Sequence, residues 1–235
     1  MQRYFIENND FVLSSDQLHH IKNVMRMKEG NHFMIVNDAS LYECEIISLN
    51  PFNFNKVLVD SASPELNVDI TLLYCLPKGD KLDLVIQKAT EIGVNNIILV
   101  QSSRCVSKFK KEDYDKKRSR FKKIVIEASE QSHRLKVPTV YDIIDFKDIS
   151  KYHFDQAYIA YENEGDTRFD SGFNKLKKGQ SVGILIGCEG GFSIEEVEYA
   201  KKCGYRSISL GKRILRSETA CIYALSVLTN AVEDI

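Results

Sequence analysis

Two glycine-bearing segments late in the sequence, IGCEGG at 186–191 and LGKRILRSETA at 210–220, set flexible backbone beside charged and apolar side chains. Glycine permits positive φ and close approach of the chain to a flat ligand, so Gly187, Gly190 and Gly191 suit a pocket wall. A tight strand-to-helix turn would use the same residues. In the second segment Leu210 and Gly211 lead into Lys212, Arg213, Ile214, Leu215 and Arg216. Ile214 and Leu215 have the character to enclose an aromatic base, and Arg216 to face a group that becomes negative during reaction. Phosphate binding by Arg213 or Arg216, or an ion pair with a carboxylate such as Glu218, fits the residue types as well. The first segment is not a GxGxxG dinucleotide fingerprint, and no GK[ST] follows it, which disfavours a classical dinucleotide or nucleoside triphosphate site.

Both segments must sit on strands that deliver them to one edge. Apolar runs VDITLLYC, VNNIILVQ, FDQAYIAYE, SVGILIGC and RSISLG alternate with helical DKLDLVIQKATEIG, KKRSRFKKIVIEASEQ, IEEVEYAKKCG and TACIYALSVLTNAVED. Strands that are apolar at nearly every residue, alternating with helices, predict a mostly parallel α/β sheet covered on both faces, with ligands at the C-terminal strand ends. Ser193 with Glu196 forms a capping box after the first glycine segment, and Ser217 is placed to cap the helix after the second. Upstream, RYFI, HFMIVND, LYECEIISL and KVLVD read as strands of a small barrel. One helix interrupts them, opened by a Ser14–Gln17 capping box, with Leu18, Ile21, Val24 and Met25 on its apolar face, and closed by Gly30. SASPELN at 61–67 has no apolar period and reads as a linker, dividing the chain into domains at 1–66 and 67–235.

Composition limits the chemistry. The 235 residues are 43% hydrophobic, enough for a sizeable core. The first residues, MQRYFIENND, contain no apolar run, and no later stretch reaches the roughly 20 apolar residues of a membrane span, so a cytoplasmic protein is expected. Six cysteines lack a CxxC pair and five histidines lack an HxH or HxxxH pattern; no metal site and no disulfide framework are expected. The net charge of -1 conceals ten basic residues against three acids between Arg104 and Lys123. Such a run fits either a solvated helix face or a surface for a polyanion.

The two segments in this order resemble the RsmE family of ribosomal RNA uridine-N3 methyltransferases, of the SPOUT class. The family pattern GPEGGFS followed by LGxRILRTETA is similar to GCEGGFS at 187–193 and LGKRILRSETA here, with Cys188 in place of the usual proline and Ser217 in place of the usual threonine. LPKGDKLDLVIQKATEIGV at 76–94, SSRCVSK at 102–108 and EASEQSHRLKVP at 127–138 extend the likeness, and RYFI with HHIKNVMRMKEGN resembles the family's PUA-like RNA-binding domain.

That resemblance implies a trefoil-knot methyltransferase domain after a small PUA-like β-barrel. It implies S-adenosylmethionine held by Ile186, Gly187, Gly190, Leu210, Gly211, Ile214 and Leu215, with Ala220 leaving room. Methylation at N3 of a uridine in 16S rRNA of the small ribosomal subunit would use Arg216 to stabilise developing charge, and Glu189 or Glu218 to accept the proton or orient the arginine, unless water is the base. Arg3, Arg26, Arg104, Lys108 and Arg134 are the expected RNA contacts. Tyr4 and Phe5 suit base stacking, with core packing the favoured reading. A homodimer is implied, with Ala220, Ala224, Val227 and Leu228 of the last helix on either a dimer face or a core face. A SPOUT ribose 2′-O-methyltransferase and a non-catalytic ribosome-assembly factor are the alternatives.

Overall fold

The computed structural model describes residues 1–107, 111–164 and 176–233, with the side chains of 111–116 set aside. The chain forms two compact units, one from 1–65 with 129–136 and the other from 66–128 with 137–235. The division at 65/66 lies in the proline-containing segment, while 129–136 groups with the first unit although it follows much of the second in sequence.

The first unit is a four-stranded sheet of β1 (Arg3–Phe5), β2 (His32–Asn37), β3 (Ser40–Leu49) and β4 (Phe52–Leu58) in that order. β1 and β2 are parallel and the other pairs antiparallel. Asp38 and Ala39 join β2 to β3 with φ of 45° and 57°, the two positive values a type I′ hairpin needs. β4 begins four residues before the apolar run KVLVD, because Phe52 and Phe54 turn inward while Asn53 and Asn55 are exposed. Helix α1 (Ser15–His19) starts at the expected capping box, both arms of which form. It then widens into a π-turn at His20–Val24. The wider turn breaks the expected apolar face: Ile21 is fully buried, but Val24 is 58% exposed. Tyr4 packs in the core with its hydroxyl 2.8 Å from His20 Nδ1, and Phe5 is half-buried against a second small cluster.

Two expected RNA contacts belong to the interior of this unit. Arg3 is buried and donates to the main-chain carbonyls of His133 and Arg134. Arg134, 5% exposed, pairs with Glu65, 8% exposed, at 2.7 Å. Glu65 also accepts the backbone N–H groups of Leu135 and Lys136 at 2.8 and 3.1 Å. The segment read as a linker therefore carries an anchored carboxylate, and neither guanidinium is offered to a phosphate.

The second unit is a parallel sheet of β5 (Asp69–Cys75), β6 (Asn96–Gln101), β7 (Thr139–Val140), β8 (Ile144–Asp145), β9 (Gln156–Ala160), β10 (Ser181–Ile186) and β11 (Arg206–Ile208). The order is β11-β9-β10-β5-β6-β7, with β8 also on β6. β10 lies between β5 and β9 and is almost wholly buried, as its unbroken apolar run requires. Helices α2 (Lys81–Ile92), α3 (Lys111–Gln131, as far as residue 128), α4 (Ile194–Lys202) and α5 (Ser217–Val232) complete it. α5 packs on α2. Ala224 and Leu228 of α5 are fully buried in the unit's own core, which removes them from any dimer face, whereas Ala220 and Val227 are half-buried. Among the described residues no helix is long and apolar enough to cross a membrane.

Candidate functional site

Each parallel strand ends on the same side of the sheet, and the loops after β9, β10 and β11 enclose a cavity of about 740 Å³. That volume lies within the roughly 300–1,000 Å³ range of small-molecule and cofactor sites. All eight residues expected to hold the cofactor line it: Ile186, Gly187, Gly190, Leu210, Gly211, Ile214, Leu215 and Ala220. Arg216 and Glu189 line it too, and Glu218 does not.

The glycines serve different ends. After β10 the chain turns through Cys188–Gly191, closed by the Gly191 N–H donating to the Cys188 carbonyl at 2.9 Å. Gly191 has φ of 63°, and a Cβ there would stand 2.6 Å from Glu162 Oε1. At Gly190 a Cβ would meet Arg104 Cβ at 3.0 Å, a tight contact that a larger residue could make only if the β6 loop shifted. Gly211 has φ of 112° with open space beside it, a left-handed turn that favours glycine. Ser193 caps α4 as expected, and the capping-box partner Glu196 also accepts the Ser103 N–H at 2.7 Å. Arg104 stays exposed while giving one N–H to the Gly190 carbonyl at 2.9 Å. The β6 loop is thereby fastened once to the glycine turn and once to the start of α4.

Ser217 does not cap α5. Arg216 occupies the cap position without a side-chain bond, and Ser217 points inward, 2.8 Å from the Tyr74 phenol and 2.5 Å from the Gly187 carbonyl. A serine hydroxyl has one proton, so it donates to the carbonyl and accepts from the phenol. The second segment is thus tied to the first through a buried hydroxyl. Cys188 is buried beside Ser102 and Cys105, and the neighbouring Cys105 thiol together with burial pushes its own thiol well above the ordinary range. It packs as a small apolar residue and is no nucleophile at neutral pH.

Lys81 at the start of α2 was not singled out by residue type. Its Nζ lies 3.3 Å from Glu189 Oε1 and 3.1 Å from Glu218 Oε2. The second contact is a charge contact whose alignment falls short of a hydrogen bond. Glu189 also accepts the Lys78 N–H at 3.1 Å. Partial burial pulls the Glu189 carboxyl upward, but these N–H groups and Lys81 outweigh it and hold the group below the ordinary carboxylate range. The Glu218 carboxylate, and after it Glu189, raise the Lys81 ammonium against desolvation. Arg216 is exposed and makes no ion pair among the described residues; Glu218, its possible partner by residue type, is given to Lys81.

The ligand surface remains open in other ways. Among the described residues the N–H and C=O groups of Lys212–Leu215 make no backbone hydrogen bonds, and Ile214 is an apolar side chain 81% exposed at the cavity. Unpaired backbone beside exposed apolar surface suits the adenine edge and face of S-adenosylmethionine, and the carboxylate of Glu162 is placed for a ligand hydroxyl or ammonium. Lys212–Leu215, Ile214 and the bare glycines fit that cofactor. No group of histidine, cysteine and carboxylate residues suited to a metal occurs among the described residues.

The expected RNA contacts divide. Arg26 is exposed at φ of 50° just after the π-turn, Arg104 is exposed as above, Arg3 and Arg134 are interior, and Lys108 lies outside the described residues. On α3, Arg118 pairs with Asp142 at 3.7 Å, Arg120 with Asp83, and Lys123 with Glu127 at 3.8 Å. The basic run is therefore partly neutralised by its neighbours.

The chain is similar to known proteins along nearly its whole length. Residues 64–229 match the RNA methyltransferase domain family, and residues 13–54 the RNA methyltransferase PUA domain family. The ribosomal RNA small subunit methyltransferase E of Bacillus subtilis is 37% identical, over 99% of this chain and 98% of the relative. A methyltransferase of Legionella pneumophila, solved with bound S-adenosylmethionine, superposes with a TM-score of 0.85 at 28% identity over 97% of both chains. The ribosomal RNA small subunit methyltransferase E of Neisseria gonorrhoeae, also solved with S-adenosylmethionine, gives 0.82 at 26% identity over 98% of this chain and 97% of its own. The chain belongs to the RsmE family of RNA methyltransferases, with a SPOUT-type α/β domain following a PUA-like one.

Proposed function

We propose that this protein methylates N3 of a uridine in 16S rRNA, using S-adenosylmethionine bound in the cavity between the two glycine segments. One observation supports the reading beyond family membership: Arg216, a guanidinium with no ion pair among the described residues, stands at a cofactor-sized cavity whose second wall, Lys212–Leu215, makes no backbone hydrogen bonds among them. When bound, the cofactor supplies an electrophilic methyl group on a sulfonium sulfur. Loss of the imide proton spreads negative charge over the two uracil carbonyl oxygens, and a guanidinium that stays protonated stabilises that charge without competing for the proton. Glu189 is a poor proton acceptor because Lys78 and Lys81 already stabilise its ionised form. Glu218 lies outside the cavity lining and on Lys81, which leaves water to take the proton. Glu189 and Glu218 are both held by Lys81, and neither pairs with Arg216 among the described residues.

The substrate RNA meets exposed cations in each unit, Arg26 in the first and Arg104 in the second, and Lys108, four residues after Arg104 in sequence, is the further contact the resemblance implies. A cytoplasmic homodimer completes the proposal, on the strength of the resemblance; half-buried Ala220 and Val227 of α5 are the residues of the proposed face that the core leaves available. The test is transfer of labelled methyl from S-adenosylmethionine to 16S rRNA or small subunits. Arg216→Ala should lower kcat by about 10²- to 10³-fold with cofactor affinity nearly unchanged, the size of loss when a charge-stabilising donor is removed. Turnover of Arg216→Ala near the wild-type rate would end its assigned role.

A further inference from the structure

We infer that Lys81 is a positioning residue of the transfer site: by holding Glu189 and Glu218 together it keeps both carboxylates off Arg216. The inference rests on the reading of Arg216 given above. Lys81 is the first residue of α2, where a positive charge meets the positive end of the helix dipole and is disfavoured. Local helix chemistry thus gives no reason for it. Its ammonium instead spans two acids from different elements, Glu189 in the turn after β10 and Glu218 in the first turn of α5. Glu189 shares the cavity with Arg216, and Glu218 follows Arg216 by two residues. Without Lys81 the cluster would hold two carboxylates and no cation. Glu218 Oε2 is buried, and a buried carboxylate without a partner is costly. Arg216 is a cation at the same cavity, two residues from Glu218 in sequence, with no ion pair among the described residues. A guanidinium captured this way has its donors filled and its charge offset, and can no longer serve the uracil oxygens.

The test compares wild type, Lys81→Arg, Lys81→Met, and the triple variant Lys81→Met, Glu189→Gln, Glu218→Gln. Three quantities are read: kcat, the calorimetric Kd for S-adenosylmethionine, and the rate at which phenylglyoxal modifies Arg216, followed by peptide mass spectrometry. Lys81→Met should lose about 10- to 100-fold in kcat while its cofactor Kd moves by less than about threefold, which also shows that it folds. Its Arg216 should react several-fold more slowly, since ion pairing occupies the guanidinium. Lys81→Arg keeps the bridge and should retain kcat within about fivefold. The triple variant removes both competing charges, and should restore the Arg216 reaction rate and most of kcat. Unchanged Arg216 reactivity in Lys81→Met, or a triple variant as slow as Lys81→Met, would overturn the inference in favour of a purely structural lysine. If the wild type methylated no RNA while the phenylglyoxal pattern held, the proposed reaction would fall and the placement of Lys81 would stand.

Discussion

Ser217→Ala should be corrected, in part, by a second mutation that removes another polar group. Ser217 Oγ serves two partners of unequal burial: the Tyr74 phenol, in a residue with no exposed surface, and the Gly187 carbonyl, in a half-buried residue at the cavity. Alanine strands both. A buried polar group left unsatisfied costs about 1–3 kcal/mol, the full range applying to Tyr74 and the lower end to Gly187, which water reaches. The sum is about 2–4 kcal/mol, and each 1.4 kcal/mol is tenfold in the unfolding constant. Tyr74→Phe alone removes the phenol while Ser217 still donates to Gly187, a loss of about 1 kcal/mol. In Ser217→Ala with Tyr74→Phe only the half-exposed carbonyl lacks a partner. The double variant should therefore be about 1–3 kcal/mol more stable than Ser217→Ala. Urea unfolding followed by far-ultraviolet circular dichroism measures all three, and calorimetry follows cofactor affinity, which should weaken in Ser217→Ala because the Gly187 carbonyl loses its restraint. A Ser217→Ala protein within about 0.5 kcal/mol of wild type, or a double variant less stable than Ser217→Ala, would refute the assigned bonds.

Other consequences are measurable in the same way. Arg134→Ala leaves Glu65 buried and unpaired and should cost about 3–5 kcal/mol of stability, while an RNA contact would instead reduce the salt dependence of RNA binding, so the two measurements decide its role. Of the six cysteines only Cys203 is not buried, and burial pushes the Cys44 thiol up to about 12; a native titration with a thiol reagent at pH 8 should find about one reactive thiol and the unfolded chain all six. Asp155 accepts the Ser181 N–H and hydroxyl at 2.8 and 2.9 Å, which holds its carboxyl below the ordinary 3.8. Its contribution is complete above that ordinary value and is lost as pH falls through the lowered one, so Asp155→Asn should flatten the acid limb of the stability curve.

The features legible in the sequence are those decided by a few neighbouring residues. Ser14 with Gln17 and Ser193 with Glu196 form capping boxes because donor and acceptor are three residues apart. The eight cavity residues were legible for a related reason, since they lie in two short segments and the family resemblance assigns both to one ligand. What escaped was decided over distance. Ser217 reads as a cap, yet its partner Tyr74 is 143 residues away and draws the hydroxyl inward. Arg3 and Arg134 have the residue type of RNA contacts, and only the folded unit shows the carbonyls and carboxylate that claim them. Lys81 has no local partner, and its task shows only where α2, the β10 turn and α5 meet around it. β7 and β8, two residues each, are too short to carry a period.

The most direct test is the identity of the modified nucleoside. Small subunits and 16S rRNA from a strain lacking this protein, incubated with the purified wild type and S-adenosylmethionine, are digested to nucleosides and separated by mass spectrometry. New 3-methyluridine at one position, absent with Arg216→Ala, is the predicted result. A 2′-O-methylated nucleoside would place the chemistry on ribose, and no methylation of either substrate despite cofactor binding would make the protein an RNA-binding factor; both outcomes contradict the account.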